Sequence, residues 1–364
     1  MRVTLLSKAL VVGAYQRKCE LIAAHNDIEL TVLVPPAWGS QRLECVHVQG
    51  YTLREIPIRF SGNFHLHHYP TLAHEIQRSR PEVFHIDEEP YNLATWLAMR
   101  SAKNARTLFF TWQNINRTYP PPFRWLERNV LSTADAAIAG SKEAQQVWRS
   151  KGFAKAMAVI PQFGVDEAAF FPHPPPPTPL AGEGRLRVGF AGRLVPEKGV
   201  DVLLRSLAQA PNARAIIAGD GPEEKALRAQ AAQLNLASRI DWRGAMKSTE
   251  MPAFYRECDV LAVPSRTLPN WKEQFGRVII EAMACGVPVI GARCGEIPNL
   301  IGEAGLLFDE GDDAALAAHL RNLSEQPGRR EALAQAGRQR VLERFTMKRI
   351  ADQTTDFYRA IFCV

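Results

Sequence analysis

The chain has 364 residues, 46% of them apolar and 23% charged, with a formal net charge of +6. These proportions exclude a disordered chain, a collagen-like fibre and a small disulfide scaffold, and the length suits two domains that each bury a core. The positive excess is spread thinly, unlike the dense basic stripe of a nucleic-acid binder; it suits anionic substrates or loose contact with an anionic membrane surface.

The opening run Met1-Arg2-Val3-Thr4-Leu5-Leu6-Ser7-Lys8 reads as a first strand, because Lys8 interrupts the apolar stretch before it resembles a signal peptide. No later stretch has the length of a membrane span. The expected location is therefore the cytoplasm, with a peripheral position on the inner membrane face left open. The 6 cysteines form no Cys-x-x-Cys pair and read as reduced, packed thiols.

Along the first half, β-rich runs over 3–7, 30–34, 46–48, 83–87, 107–111, 136–139 and 157–160 alternate with helical patterns over 14–24, 72–78, 93–102, 123–131 and 142–149. That alternation predicts a mostly parallel sheet covered on both faces. A proline-rich break follows over 173–185, where neither a helix nor a central strand can form, and it reads as a semi-rigid linker. The alternation then restarts, with strands over 187–191, 213–218, 240–243, 260–264, 287–291 and 305–308. Helices are expected over 200–208, 222–234, 251–257, 276–285, 313–323 and 329–344, and a final amphipathic helix over 347–361. The reading is an α/β protein of two doubly wound Rossmann-like domains with a cleft between them. The domains run over 1–172 and 186–346, and 347–364 crosses back to the first. Ligands of such sheets sit outside the carboxyl ends of the strands, so residues just after strands carry the functional interest.

Three places stand out by that criterion. Gly13 precedes the first helix and could admit a ligand phosphate. In Gly192-Arg193-Leu194-Val195-Pro196-Glu197-Lys198-Gly199, a strand runs into a turn; Gly192 permits close backbone approach, and Arg193 with Lys198 offers a cationic pocket for a diphosphate. After the 260–264 strand, Glu273 precedes a helix that contains Glu281. Eight residues are a little over two helical turns, which puts the two carboxylates roughly on one side. Carboxylates accept from sugar hydroxyls, and the N–H groups near Phe275 and Gly276 can donate to the same ligand. Simpler readings stand beside these: surface cations at a turn, an acid favoured by the helix dipole at Glu273, and a solvent-facing Glu281.

Neither the Gly-x-Gly-x-x-Gly fingerprint nor a Walker loop occurs. The run Phe64-His65-Leu66-His67-His68, with His74, could bind a metal or simply form an acceptor-side loop. Asp87-Glu88-Glu89 lies at a strand's carboxyl end, where it could touch an acceptor or simply be solvated. Trp112, Tyr119, Trp125 and Trp271 are candidates to stack on a sugar or to line a wall.

Taken together, Gly-Arg-x-x-x-x-Lys-Gly, the Glu-x7-Glu pair and Glu281-Ala282-Met283-Ala284-Cys285-Gly286-Val287-Pro288 resemble the retaining glycosyltransferases of family 4, which have the GT-B fold. The resemblance implies roles position by position. Arg193 and Lys198 would hold the donor diphosphate, and Glu273 would lie beside the transferred sugar. Phe275 and Gly276 would contact sugar hydroxyls, Glu281 would bind the ribose, and Gly13 would lie near the phosphates. Family members often carry a histidine where Thr111-Trp112-Gln113 stands here. Gln113 can orient a hydroxyl but cannot act as a base. Gly295-Glu296 stands where a double glycine is common.

The resemblance implies transfer of a hexose from a nucleotide diphosphate sugar to a saccharide, lipid or small-molecule hydroxyl by front-face displacement. No Asp-x-Asp occurs, and neither a metal nor another cofactor is expected. The alternatives are a non-catalytic GT-B protein that binds sugar nucleotide and a sugar-nucleotide epimerase.

Overall fold

The computed structural model describes residues 1–102, 104–172 and 185–362, and the chain divides into two units. The first comprises Met1–Gly164 and Met347–Val364, the second Val165–Thr346. The linker expected over 173–185 lies outside the described residues, except for Arg185. The division falls earlier than the expected boundary at 172. Val165 bridges in parallel to Thr346 and donates its N–H to Phe345 O at 2.9 Å, which ties this segment to the second unit.

The strands of the first unit are β1 (Arg2–Leu6), β2 (Glu29–Val34), β3 (Ala37–Trp38), β4 (Gln41–Arg42), β5 (Thr52–Glu55), β6 (Val83–Ile86), β7 (Arg106–Thr111), β8 (Ala136–Ala139) and β9 (Ala156–Val159). Its helices are α1 (Arg17–Ala23), α2 (Leu72–Ser79), α3 (Leu93–Ser101), α4 (Phe123–Thr133) and α5 (Lys142–Ser150). Among the described residues, seven strands form one parallel sheet in the order β5-β2-β1-β6-β7-β8-β9. Strand alternation feeds two cores. Val3, Leu5, Leu108, Phe110 and Ile138 enter one, and Leu6, Phe109 and Ala137 the other.

The 46–48 run is not a strand. Val46 and Val48 are exposed, and the N–H groups of Val46 and His47 donate to Gln16 Oε1 at 3.1 and 3.4 Å. A side chain has captured the backbone that a strand would have paired, and β5 takes the sheet edge instead. The β3–β4 hairpin lies outside the alternating pattern.

The second unit contains β10 (Leu186–Ala191), β11 (Ala213–Ala218), β12 (Ile240–Gly244), β13 (Val260–Val263), β14 (Val289–Ala292) and β15 (Leu306–Phe308). Its helices are α6 (Val200–Gln209), α7 (Glu224–Gln233), α8 (Met251–Arg256), α9 (Arg277–Ala284), α10 (Ile297–Ile301), α11 (Asp313–Glu325) and α12 (Pro327–Arg344). The sheet order is β12-β11-β10-β13-β14-β15, all parallel.

The chain ends on α13 (Met347–Phe362), which belongs to the first unit and packs on α1. Ile350, Ala351, Tyr358 and Ile361 face the core there beside Cys19 and Ile22, and Tyr358 Oη lies 2.7 Å from His85 Nδ1.

In each sheet, strand order reverses direction at one place, between β1 and β6 and between β10 and β13. Connections leave to opposite sides there, which opens a crevice at the carboxyl ends where ligands bind.

Candidate active site

At the β10/β13 switch point the chain leaves β10 through Gly192, passes a 3-10 turn (Pro196–Lys198) and enters α6 through Gly199. The turn is braced by β11's exit. Gly192 N donates to Ala218 O at 2.9 Å and Leu194 N to Asp220 O at 2.7 Å. A Cβ on Gly219 would overlap Gly192 O, so only glycine admits this approach. The turn aims Lys198 at the segment after β13, where its Nζ lies 2.6 Å from Glu273 Oε2. Ser265 donates to the same oxygen at 3.2 Å, and the Trp271 ring centroid is 5.0 Å from Nζ. Glu273 is 7% exposed. Arg193 is exposed, and its side chain has no hydrogen bond or ion pair among the described residues.

Glu273 is also held through its backbone, because its carbonyl accepts from Glu296 N at 3.1 Å. Gly295 sits at φ +53, where a Cβ would overlap Glu273 O. Of the double glycine common in the family, this geometry needs only the first residue.

Phe275 is buried, and Gly276, at φ +78, caps α9. Glu281 lies inside α9 and is buried, not solvent-facing; Tyr255 Oη donates to its Oε2 at 2.7 Å and Arg277 Nε lies 2.9 Å from Oε1. Burial pushes its carboxyl above the usual range, against the pull of Arg277 and Tyr255. Tyr255 and Ser265 are site neighbours that sequence reasoning missed. A lone serine after a strand and a tyrosine on a short helix carry no spacing signal.

The first unit repeats the pattern at its own switch point. Lys8, just after β1, contacts Glu88, just after β6. The consecutive acids are paired, not solvated, with Asp87 and Glu88 buried and Glu89 half-buried. Asp87 accepts from Ser7 Oγ at 2.5 Å and from Gln162 Nε2 at 2.9 Å. Glu88 accepts from Tyr69 Oη at 3.0 Å, and His67 Nε2 lies 3.3 Å away. Glu89 accepts from Thr111 Oγ1 at 2.7 Å and Trp112 N at 2.8 Å. Burial raises Glu89 to about 7 and lowers the Lys8 ammonium to about 8.

Gln113 follows β7 and is buried. Its Nε2 donates to Ile115 O at 2.9 Å, and its Oε1 accepts from Tyr119 Oη at 3.3 Å. Both ends of the amide thus close its own loop. Gly13 begins a 3-10 turn (Gly13–Gln16), and its N–H donates to Glu44 Oε2 at 2.8 Å. Gly192, Arg193, Lys198, Glu273, Phe275, Gly276 and Glu281 belong to the second unit, where Lys198 and Glu273 meet directly; Gly13 and Gln113 belong to the first. No group of three or more His, Cys, Asp or Glu among the described residues is placed to hold a metal, the 64–68 histidines included.

Two family models match the chain, Glycosyltransferase Family 4 over residues 20–168 and Glycosyl transferases group 1 over 177–340. The chain belongs to the group 1/family 4 glycosyltransferases. Its relatives include a GDP-mannose-dependent alpha-(1-6)-phosphatidylinositol monomannoside mannosyltransferase of Mycolicibacterium smegmatis. That protein is 29% identical over 347 residues, covering 89% of this chain and 87% of its own. A D-inositol 3-phosphate glycosyltransferase of Rhodococcus jostii is 37% identical over 186 residues, a match to 47% of this chain and only 40% of that relative's length. Among solved structures, HepE of Anabaena in complex with UDP superposes with a TM-score of 0.77 at 22% identity, covering 99% of both chains. Sucrose-phosphate synthase of Thermosynechococcus elongatus gives 0.76 at 20% identity, covering 100% of this chain and 99% of that one. The family's fold, GT-B, is therefore the fold of this chain, and the protein is a glycosyltransferase.

Proposed function

We propose that this glycosyltransferase is a retaining hexosyltransferase that takes a hexose from a nucleoside diphosphate sugar and passes it to a hydroxyl acceptor. The observation that carries the reading is the Lys198–Glu273 pair at the β10/β13 switch point, with Arg193 exposed on the turn that leaves β10. A diphosphate is bound by cations, and a hexose ring by carboxylate acceptors; both stand here at one switch point, after the neighbouring strands β10 and β13.

In this reading the second unit binds the donor. Arg193 and Lys198 hold the diphosphate, and Glu273, Phe275 N–H and Gly276 N–H meet the hexose. Glu281 serves the ribose, and Gly192 lets the phosphates approach the backbone. Gly13 and Gln113 of the first unit serve the phosphates and an acceptor hydroxyl. The acceptor oxygen bonds to the anomeric carbon on the face from which the diphosphate oxygen departs. The acceptor's proton passes to a departing phosphate oxygen, so a nucleoside diphosphate and a glycoside of unchanged anomeric configuration leave together. Negative charge grows on the leaving group, and fixed cations there lower the barrier. That role needs no divalent cation, so turnover is expected to persist in EDTA.

The likeness to the M. smegmatis mannosyltransferase makes GDP-mannose the first donor to test and a mannoside the first acceptor. A cytoplasmic location with peripheral membrane contact belongs to this proposal. It rests on the net charge of +6, and no helix of the described residues is long and apolar enough to cross a membrane. The deciding experiment is a calorimetric titration with GDP-, UDP-, ADP- and dTDP-sugars, followed by NMR of the product's anomeric proton. One selected base and retained configuration are expected. Inverted configuration would overturn the mechanism, and donor binding without turnover would make the protein a binding module.

A further inference from the structure

The first unit holds a cluster of rings that no step above uses. The 63–68 segment is a compact turn: Asn63 Oδ1 accepts from His65 N and Leu66 N, each at 3.0 Å, and Leu93 N, at the start of α3, donates to His65 O at 2.9 Å. This fixes the His65 imidazole against three rings, with centroids 5.5 Å from Tyr91, 5.6 Å from Tyr119 and 4.6 Å from Phe123. Tyr91 and Tyr119 stack on each other at 4.3 Å. All four residues are half-buried, so the cluster is partly open to solvent and not a closed core.

Polar atoms in and beside this cluster are left over. His65 Nδ1 is buried without a partner, and so are both amide atoms of Asn92, the neighbour of Tyr91. Asn92 is 0% exposed. These atoms are sealed away from any ligand, so the His65 nitrogen that a ligand can reach is Nε2. Burial lowers the basicity of His65 and favours the neutral ring. With Nδ1 enclosed, the proton is placed on Nε2, which has no hydrogen bond among the described residues and faces outward as a donor.

We propose that His65, Tyr91, Tyr119 and Phe123 form a subsite for a pyranose ring of the acceptor. A pyranose presents an apolar C–H face and a rim of hydroxyls, which is what flat rings mixed with neutral donors and acceptors recognise. A lipid tail has no use for the polar atoms. A cationic ligand is disfavoured because Lys151 Nζ already lies 5.6 Å from the Tyr119 ring. The link to the reaction is Tyr119, whose hydroxyl donates to Gln113 Oε1. The subsite rests on the proposed reading of the first unit as the acceptor side.

The test is saturation-transfer NMR on the full chain, irradiating aromatic protons, with methyl α-D-mannopyranoside, methyl α-D-glucopyranoside and methyl β-D-galactopyranoside at millimolar concentration. At least one glycoside is expected to bind, with its C–H face saturated most. His65→Ala, Phe123→Ala and Tyr119→Ala are each expected to weaken it fivefold or more, and Tyr119→Phe less than Tyr119→Ala. Absence of binding by all three glycosides overturns the subsite. So does undiminished binding by variants that melt like the wild type, or displacement of the glycoside by choline chloride. Donor titration of the wild type is read separately: a protein that binds glycosides but no nucleotide sugar loses the proposed function and keeps the subsite.

Discussion

Lys198 Nζ and Glu273 Oε2 lie 2.6 Å apart, although 75 residues separate them in the chain. The pair orients both groups, since Ser265 and the Glu296 N–H hold Glu273 from other sides. Lys198→Ala is expected to lower kcat about 100-fold or more, as losing one preorganised charge stabiliser does. Glu273→Gln keeps the shape but loses the ionic partner, and it is expected to lower kcat with less effect on donor affinity. Steady-state kinetics beside calorimetry checks both, and wild-type turnover in Lys198→Ala would remove its role.

Glu281 has an observed duty, accepting from the buried Tyr255 hydroxyl, and a proposed one, binding the donor. Glu281→Ala is expected to weaken donor binding and to leave the buried Tyr255 hydroxyl without its acceptor, which costs about 1–3 kcal/mol of stability. Tyr255→Phe removes only that hydroxyl and is expected to shift Tm less. Donor affinity unchanged in a folded Glu281→Ala protein would show that Glu281 is a structural acid alone.

The Gly13 N–H donates to the Glu44 carboxylate, an anion in the position proposed for a donor phosphate. The 44–47 segment is tied down by Gln16, so under the proposed phosphate contact Glu44 would have to be displaced at a cost. Glu44→Gln is expected to tighten donor affinity several-fold. A weaker donor titration in that variant would instead mean that Glu44 helps to shape the loop.

Glu89 gives a pH signature. Its carboxyl is pushed from 4.5 up to about 7 by burial, so between those values the unfolded chain releases a proton that the folded chain keeps. Stability contributed by this group is therefore greatest below 4.5 and falls as pH rises to about 7. Over that window Glu89→Gln is expected to gain on the wild type, by about 3 kcal/mol at most. Thermal melts of both proteins from pH 4 to 8 read the difference directly; parallel curves would place the Glu89 titration elsewhere.

Tyr358 anchors the chain end, being fully buried with its hydroxyl 2.7 Å from His85 Nδ1. Tyr358→Ala is expected to destabilise the first unit by about 3–5 kcal/mol through the cavity it leaves. Denaturant titration checks this, and a loss under 1 kcal/mol would show that α13 is peripheral to the core.

Local rules were enough for much of this protein. Strands alternating with helices, glycines at strand exits and the Glu-x7-Glu spacing are signals within a few residues of one another, and sequence carries such signals directly. They placed most strands of both sheets, the turn from Gly192 to Lys198 and the start of α9. The strand expected at 46–48 failed because a distant side chain, Gln16, took its backbone donors. Likewise, only the tertiary structure showed Asp87, Glu88 and Glu89 all paired, Gln113 turned into its own loop, and His65 set among three rings. Those outcomes depend on partners brought together across 80 residues in the case of Ser7 and Asp87. Such pairings leave no periodicity in the chain, and burial, which fixes the charge state of each group, exists only once the sheets have closed over them.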